Sequence, residues 1–257
     1  MRSRCHSNEQ YALVAAGSRW HHEPLKHDED FRISWNQGSY KPVNTVAGNP
    51  NKAVGMKGNE LVWRVLADRA IEGQRAWANV ADLAFEAGVP STTAYLALER
   101  LEGNGTVDRY RRGGLAVVSI DKVLTMICAW RNLAHDTVAW TTRDAISPFL
   151  DSSRGPYALG GPVAARAHLS GRTVADFRRH LVYLPPTVDL NGLPQGDEVR
   201  VLGMDKRAIA TWGGYSSVAQ TYADLFATPG WQASEFRIAL RERFVPAREW
   251  DQPGEQQ

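Results

Sequence analysis

The residues with the most suggestive chemistry lie in the segment ALGGPVAARAHLSGRTVADFR, residues 158–178. It contains the pair Gly160 and Gly161 and, about fifteen residues later, the acid Asp176. A glycine pair can form a turn whose backbone approaches the phosphates of a nucleotide. A carboxylate further along the chain can bind the magnesium ion that assists nucleotide transfer. The segment therefore has the outline of a nucleotide-transfer site.

Two residues interrupt this outline. A nucleotidyltransferase of the polymerase-β type has a hydroxyl side chain after the glycines. It also has two carboxylates on a strand, separated by one intervening residue, so that both point to the same side. Pro162 stands in the hydroxyl position and offers neither a hydroxyl nor a backbone N–H. Arg178 stands in the second acidic position and would repel the metal ion. We expect a degenerate site without enzymatic activity, metal or cofactor; an active nucleotidyltransferase that binds nucleic acid is the alternative.

A second set of candidate residues, between positions 91 and 112, requires helices to position it. In the segment NELVWRVLADRAI, Leu61, Val65 and Leu66 form an apolar stripe that predicts a first helix. The side chains placed outside this stripe are those of Trp63, Arg64 and Asp68. The segment is therefore expected to form the first helix of the module.

Two more helices follow, separated by a short turn. Asn79 can cap the first of them and Gly88 can end it. Pro90 then starts the next helix, and the residues predicted to face its core are Ala94, Leu98 and Leu101. The segments TVDRYRR and LAVVSI alternate in polarity around Gly113 and Gly114, which predicts a β-hairpin. Three helices and a hairpin predict a winged helix-turn-helix over residues 57–120.

Such a module could bind DNA through its second helix and its hairpin, the wing. The residues predicted to contact DNA are Ser91, Thr92, Thr93, Tyr95, Leu96 and Arg100 on the helix, and Arg109, Arg111 and Arg112 on the hairpin. Hydroxyl and guanidinium groups suit base edges and phosphates. Glu99 and Glu102 weaken the local positive field. A module that contacts another protein is the alternative interpretation.

The second half, residues 121–248, is predicted to form an α+β domain that packs directly against the winged helix. IDKVLTMICAWRNLAHDTVAWTT begins immediately after the hairpin with Val123, Ile127 and Trp130 on one helical stripe, which leaves no room for a flexible linker. The segments predicted as strands are HLVYL, EVRVLGM and RAIATWGG. Two amphipathic helices are predicted near the end, marked by Val218, Tyr222 and Leu225 and by Phe236, Leu240 and Phe244.

Composition restricts the class of protein further. The 257 residues include 30 basic and 28 acidic side chains, so a nucleic-acid contact must use a local basic patch. The two cysteines, Cys5 and Cys128, give neither a disulfide framework nor a zinc-ligand pair. Residues 1–56 lack periodicity and are predicted to form a flexible arm, with residues 249–257 as a tail. The absence of a long apolar run or signal sequence favours a cytoplasmic protein without a membrane partner.

The order of these motifs resembles the AbiEi-type antitoxins of type IV toxin–antitoxin and phage-defence systems, over residues 60 to about 245. The resemblance is carried by VADLAFEAGVPSTTAYLALERLEGNGTVDRYRRGG, then YALGGPVAA, HLVYLP and SSVAQTYADLFATPG. In the last segment the matching residues are Ser216 or Ser217, Gln220, Tyr222, Asp224 and Leu225.

The resemblance implies a function and two partners. Members of that family bind inverted repeats in their own promoter through the winged domain. Their C-terminal domain counteracts a partner toxin that is a nucleotidyltransferase. The resemblance therefore implies a DNA-binding autorepressor and antitoxin without enzymatic activity. The segment at residues 158–178 adds the expectation that the C-terminal domain resembles a degenerate nucleotidyltransferase. The long leading arm and the segment from the glycine pair to Asp176 depart from the family pattern and leave open a stand-alone regulator without a toxin.

Overall fold

The structure is a computed structural model that describes residues 57–111, 113–152 and 156–247. The predicted arm at residues 1–56, the tail at 249–257 and Arg112 lie outside the described residues. The helices are α1 Gly58–Ile71, α2 Val80–Ala87, α3 Ser91–Gly103, α4 Ile120–Trp130, α5 Leu133–Asp136, α6 Arg143–Ser152, α7 Gly161–His168, α8 Lys206–Thr211, α9 Val218–Phe226 and α10 Trp231–Phe244. The strands are β1 Ala76–Trp77, β2 Val107–Arg109, β3 Leu115–Val117, β4 Thr137–Thr141, β5 Ala158–Gly160, β6 His180–Leu184 and β7 Val199–Gly203. The fold is therefore a mixed α+β fold with two small sheets.

The first three helices begin and end where the sequence predicts. The Asn79 side chain accepts a hydrogen bond of 2.8 Å from the backbone N–H of Asp82, and so caps α2. Gly88 ends α2 in the left-handed conformation, with φ of +67°. The predicted hairpin is β2 and β3, which pair antiparallel with Val107 opposite Val117. Strand β1, which the sequence did not predict because it has only two residues, adds to β3 and gives the sheet order β1-β3-β2.

Helix α1 is present as predicted, and it is buried on almost all sides rather than along its apolar stripe alone. Trp63, Arg64 and Asp68, which the apolar stripe left outside, are all buried. The helix packs against α2 and α3 from the first part of the chain and against α4 and α9 from the second part. These four helices together cover α1 along most of its length. The indole Nε1 of Trp63 donates a hydrogen bond of 2.9 Å to the carbonyl of Ala97 in α3. Polarity alone could not identify this helix as a central element.

The second sheet has the strand order β4-β7-β6-β5. Strands β6 and β7 are parallel, and the two outer pairs are antiparallel. Because side chains alternate along a strand, Leu181 and Tyr183 face one apolar cluster while Val182 and Leu184 face another. Both predicted strands in this region, HLVYL and EVRVLGM, are confirmed.

The third predicted strand, RAIATWGG, is wrong, because residues Lys206–Thr211 form helix α8. The carboxylate of Asp205 accepts hydrogen bonds of 3.1 Å from the backbone N–H groups of Arg207 and Ala208, and this cap starts a helix. Only Ala208 of this helix is buried. A short segment with one buried side chain has too little periodicity to distinguish a helix from a strand.

One hydrophobic core crosses the predicted domain boundary at residue 120. It contains Leu66, Leu98 and Leu115 from the first part of the chain together with Ile127 and Leu225 from the second. All the described residues fall within one compact unit. Only Val118 and Ser119 lie between β3 and α4, so this junction has no long linker, as the sequence predicted. The hydroxyl of Ser119 accepts a hydrogen bond of 3.2 Å from the backbone N–H of Lys122 and so caps α4. None of the described helices is both long and apolar enough to cross a membrane.

Candidate functional site

Helix α3 presents one face to solvent and buries the other. Its buried residues are Ala94, Ala97, Leu98 and Leu101, which include the three predicted core positions. On the opposite face, Tyr95 is 46% exposed and Leu96 is 60% exposed. Thr92 and Glu99 lie on this same face by helical spacing, and both are exposed. The face therefore combines a threonine, a tyrosine, a leucine and an acid.

Three other predicted DNA contacts lie beside this face. Ser91 is exposed at the first position of α3. Thr93 is half-buried against α1, since a Cβ on Gly58 would lie only 2.6 Å from the Cγ2 atom of Thr93. Arg100 is exposed, and its guanidinium lies 5.1 Å from the ring centre of Trp130 in α4. Thr93 and Arg100 therefore also contact other helices of the protein.

The hairpin carries the predicted arginines, and their surroundings differ. Arg109 forms an ion pair of 3.0 Å with Glu102, and its guanidinium lies 5.2 Å from the ring centre of Tyr95. Its charge is thus partly compensated, and it links the hairpin to α3. Arg111 is exposed in the turn, next to Tyr110, which is half exposed. Arg112 lies outside the described residues.

The tip of the hairpin is held by backbone hydrogen bonds. The N–H of Tyr110 donates to the carbonyl of Gly114 at 2.7 Å, and the N–H of Gly113 donates to the carbonyl of Tyr110 at 2.9 Å. Gly113 has φ of +101°, a conformation that favours glycine. The turn is therefore defined, and it places Arg111 at the end of the hairpin.

The region around α3 and the hairpin carries charges of both signs and several exposed apolar side chains. Residues 57–119 contain 8 basic and 8 acidic side chains, so the field there has no overall positive sign. Phe85 of α2 is 90% exposed, in addition to Leu96 and Tyr110. A basic contact with nucleic acid is therefore restricted to the hairpin tip and its surroundings.

The Gly160–Gly161 pair has a packing role in the structure. Gly160 ends β5 and Gly161, with φ of +57°, begins α7. A Cβ on Gly160 would lie 2.9 Å from the Cε2 atom of Tyr183, and one on Gly161 would lie 3.1 Å from the Cδ1 atom of Leu181. The two glycines let strand β6 approach this turn closely, which is a sufficient reason for their presence.

Asp176 and Arg178 do not lie on a strand. Both are exposed in the irregular segment between α7 and β6, so the side-by-side arrangement of a strand does not apply to them. Within the described ranges, no three His, Cys, Asp or Glu side chains lie together as a metal site requires.

A buried polar network lies between α4, β6 and α9, and it was not predicted as a site. The Nε of Arg131 donates to Asp224 at 2.7 Å, its Nη1 donates to Asp136, and its Nη2 donates to the Tyr183 hydroxyl at 2.9 Å. That hydroxyl donates to the second oxygen of Asp224 at 2.6 Å. The Nε2 of Gln220 donates to both Tyr183 and Asp224 at 3.0 Å. Burial raises the pKa of Tyr183 well above its ordinary value, against the opposing charge of Arg131, so the phenol stays a donor.

A second ion pair connects this network to α1. The guanidinium of Arg64 donates two hydrogen bonds to the carboxylate of Asp205, at 2.7 and 2.9 Å. The same Nη1 also donates to the Oε1 of Gln220 at 3.3 Å. Burial acts to raise the pKa of Asp205, but the charge and hydrogen bonds of Arg64 outweigh it and leave that pKa below its ordinary value. The two arginines thus hold α1, α4, α8 and α9 in fixed positions.

The sequence contained only a weak signal for this network. Gln220 and Asp224 are four residues apart and therefore lie on one side of an otherwise apolar helix, which indicates buried polar groups with partners. Their partners Arg131 and Tyr183 are distant in sequence, so no local pattern could identify them.

Comparison with known proteins gives no match to a family model, to a curated protein or to a solved structure.

Proposed function

We propose that the protein is a DNA-binding transcriptional repressor whose α3 enters the major groove while the β2–β3 hairpin follows the DNA backbone. The element order α1-β1-α2-α3-β2-β3, with the sheet order β1-β3-β2, agrees with the winged helix-turn-helix that the sequence predicted. In such a module the second helix of the turn reads base edges.

The observation that carries the proposal is the position of the exposed face of α3 beside an arginine-bearing turn. Thr92, Tyr95 and Leu96 are exposed on a helix whose other face is fixed in the core. A hydroxyl and apolar groups suit base edges and thymine methyl groups. Arg111, exposed in the turn, and Arg112 beside it in sequence would contact phosphates.

The experiment is a titration of a duplex from the region upstream of the protein's own gene, followed by fluorescence anisotropy at several salt concentrations. The double variant Arg111→Ala, Arg112→Ala should bind more weakly, and its slope of log K against log salt should be smaller by about 2, since each phosphate contact contributes about 0.9. The matched control is Arg166→Ala, Arg172→Ala, which removes two exposed arginines in the second half of the chain. Equal slopes in the two double variants would contradict the hairpin contact.

The antitoxin role is the second part of the proposal, and it comes from the resemblance rather than from a surface. Five residues of the matching pattern are buried, so they would maintain the fold that a toxin recognises rather than contact the toxin; they are Ser216, Gln220, Tyr222, Asp224 and Leu225. The proposed partner is a nucleotidyltransferase encoded beside this gene, and the proposed site of action is the cytoplasm. Co-expression of the two should restore growth that the neighbouring protein alone arrests; growth arrest despite co-expression would remove this part of the proposal.

We also propose that the chain has no nucleotidyltransferase activity of its own, because the Gly160–Gly161 turn packs against β6 and Asp176 lies on an exposed loop. Incubation with labelled nucleotides, magnesium and RNA tests this point. Incorporation that disappears in the variant Asp176→Asn would reverse it.

A protein-binding module is the second candidate, and the exposed Phe85 favours it. An aromatic side chain that is 90% exposed is a more usual feature of a protein contact than of a DNA contact. If the protein retains no DNA at low salt, this candidate replaces the first.

A further inference from the structure

A cavity of about 370 Å³ opens between the end of α4, helix α5, strand β7 and the residue after α9. Its lining residues are Ala129, Trp130, Arg131, Asn132, Leu133, Ala134, Arg200 and Ala227. Its size lies within the range of small-molecule sites, about 300–1,000 Å³. The proposed DNA contacts at Thr92, Tyr95, Leu96 and Arg111 do not line it.

Arg200 is the residue that gives this cavity its chemistry. It lies on β7 beside Trp140 of β4 in the sheet register, and its guanidinium stacks 4.5 Å from the ring centre of Trp140. Its Nε atom is buried and donates no hydrogen bond to any of the described residues. Arg200 as a whole is half-buried, and its guanidinium forms no ion pair with a carboxylate of the described residues, so it is an uncompensated cation in the cavity wall.

Two other arginines act on Arg200, and their positive charges outweigh the opposing charge of Asp224. Arg179 places its guanidinium 5.7 Å from the ring centre of the same Trp140. Burial, and then the charges of Arg179 and Arg131, lower the pKa of Arg200 to about 10. It therefore stays protonated near pH 7, at a cost that a bound anion would remove.

The carboxylates nearby are already engaged elsewhere. Asp224 and Asp136 both accept hydrogen bonds from Arg131, which is itself a lining residue of the cavity. Neither Arg200 nor Arg179 forms an ion pair with a carboxylate in the described ranges. The positive charge at the cavity is thus left for a ligand to neutralise.

We propose that this cavity binds the phosphate group of a small phosphorylated ligand, with Arg200 donating hydrogen bonds to it and Arg179 supplying further positive charge. The planar guanidinium of arginine matches the oxygen atoms of phosphate. The cavity accommodates inorganic phosphate, pyrophosphate or a mononucleotide. The residues that line this site do not include the proposed DNA contacts at Thr92, Tyr95, Leu96 and Arg111, so a small ligand can bind to the protein in the absence of DNA.

The experiment is isothermal titration calorimetry of the full chain, without DNA, at constant ionic strength with chloride as the balancing anion. The probes are inorganic phosphate, pyrophosphate, AMP and ATP, and a single-stranded oligonucleotide in a separate arm. Saturable binding of at least one of the small probes is expected. In the variant Arg200→Met that binding should weaken by roughly tenfold or more, because a charge-assisted hydrogen bond is lost. The matched control Arg172→Met, at an exposed arginine outside the cavity, should bind as the original protein does.

Thermal unfolding separates a binding role from a structural one. Because Arg200 carries a half-buried charge without a carboxylate partner, Arg200→Met should unfold at the same temperature as the original chain, or a higher one, in phosphate-free buffer. Phosphate should raise the unfolding temperature of the original chain but not that of the variant. If Arg200→Met does not fold, Arg179→Met, at an exposed position, should still weaken binding several-fold. Absence of saturable binding by every small probe, binding by the oligonucleotide alone, or equal binding by the original protein and both arginine variants would overturn the proposal.

Discussion

At the scale of single residues, the fold depends on charges placed where water cannot reach them. The guanidinium of Arg131 and the carboxylate of Asp224 are both almost completely buried and contact each other directly. Removal of both charges from such a pair costs little, but removal of one leaves the other without solvation. The network thus links the end of α4, β6 and α9 through hydrogen bonds between buried groups.

Removal of one carboxylate from this network should be costly. The variant Asp224→Ala is expected to lower the free energy of unfolding by about 3–5 kcal/mol, because it leaves Arg131, Tyr183 and Gln220 short of an acceptor. Urea unfolding followed by circular dichroism measures the effect. The control Asp176→Ala, at an exposed acid, should change the free energy by less than about 0.5 kcal/mol. Similar losses in the two variants would mean that the network does not stabilise the fold.

His180 should make stability depend on pH. Burial, and then repulsion by Arg143, lower the pKa of His180 to about 4, against the opposing charge of Glu198. Between pH 6.5 and about 4 the unfolded chain therefore binds a proton at this residue that the folded chain does not, so stability falls as the pH falls through this window. The free energy of unfolding is expected to fall by about 3 kcal/mol across this window because of His180.

The variant His180→Gln tests that contribution. The difference in unfolding free energy between the variant and the original chain should change across pH 4–6.5 and be constant above pH 7.5 or so. Comparison of the two proteins cancels the other buried acids, Glu60, Asp68 and Asp205, whose pKa values are also displaced. A difference that does not vary with pH would show that His180 titrates normally in the folded state.

At the scale of elements, the sequence was most informative where capping residues and apolar stripes agree. Asn79, Gly88 and the stripe of Ala94, Leu98 and Leu101 predict α2 and α3 with bounds close to the observed ones. It was least informative for α1, where tertiary contacts bury the polar side chains as well. It also failed at α8, where the capping carboxylate of Asp205 outweighs a strand-like composition.

Of the candidate sites, the exposed face of α3 could be predicted from a local pattern, and the cavity and the buried network could not. Exposure of Thr92, Tyr95 and Leu96 follows from the helical period of α3, so it could be predicted. The cavity at Arg200 joins residues from α4, β7 and the end of α9, and the buried network joins residues from four elements. These sites depend on how the elements pack, which local patterns do not specify.

The Gly160–Gly161 turn provides a prediction at this scale. The variant Gly160→Ala places a methyl group 2.9 Å from the ring of Tyr183, and overpacking of this kind should cost about 1–3 kcal/mol. The matched control is Gly103→Ala, at the end of α3, where an added Cβ meets nothing within 4 Å and helix propensity should keep or raise stability. Thermal unfolding of both variants measures the difference. Equal stability of the two would mean that close packing does not explain the glycine at position 160.

At the scale of the whole molecule, α1 is the element that makes the two halves depend on each other. It packs against α2 and α3, which precede residue 120, and against α4 and α9, which follow it. Its Arg64 pairs with Asp205, and the carboxylate of its Asp68 accepts a hydrogen bond of 3.0 Å from the N–H of Ala219. A boundary at residue 120 therefore separates elements along the chain but not hydrophobic cores.

This dependence predicts how the protein unfolds. The chain of residues 57–247 should unfold in one transition, with the same midpoint by tryptophan fluorescence and by far-ultraviolet circular dichroism. Residues 57–119 alone should lack a fixed tertiary structure, because Trp63 loses Trp130, Arg64 loses Asp205, and one side of α1 loses its apolar cover. Near-ultraviolet circular dichroism of the fragment, with the longer chain as control, measures this loss. A fragment that folds cooperatively would mean that the first part is an independent domain, and DNA binding could then be separated from the second half of the chain. If the fragment is instead unfolded, any ligand or partner that stabilises the second half also stabilises the helix on which α3 is packed, and so affects DNA binding through α1.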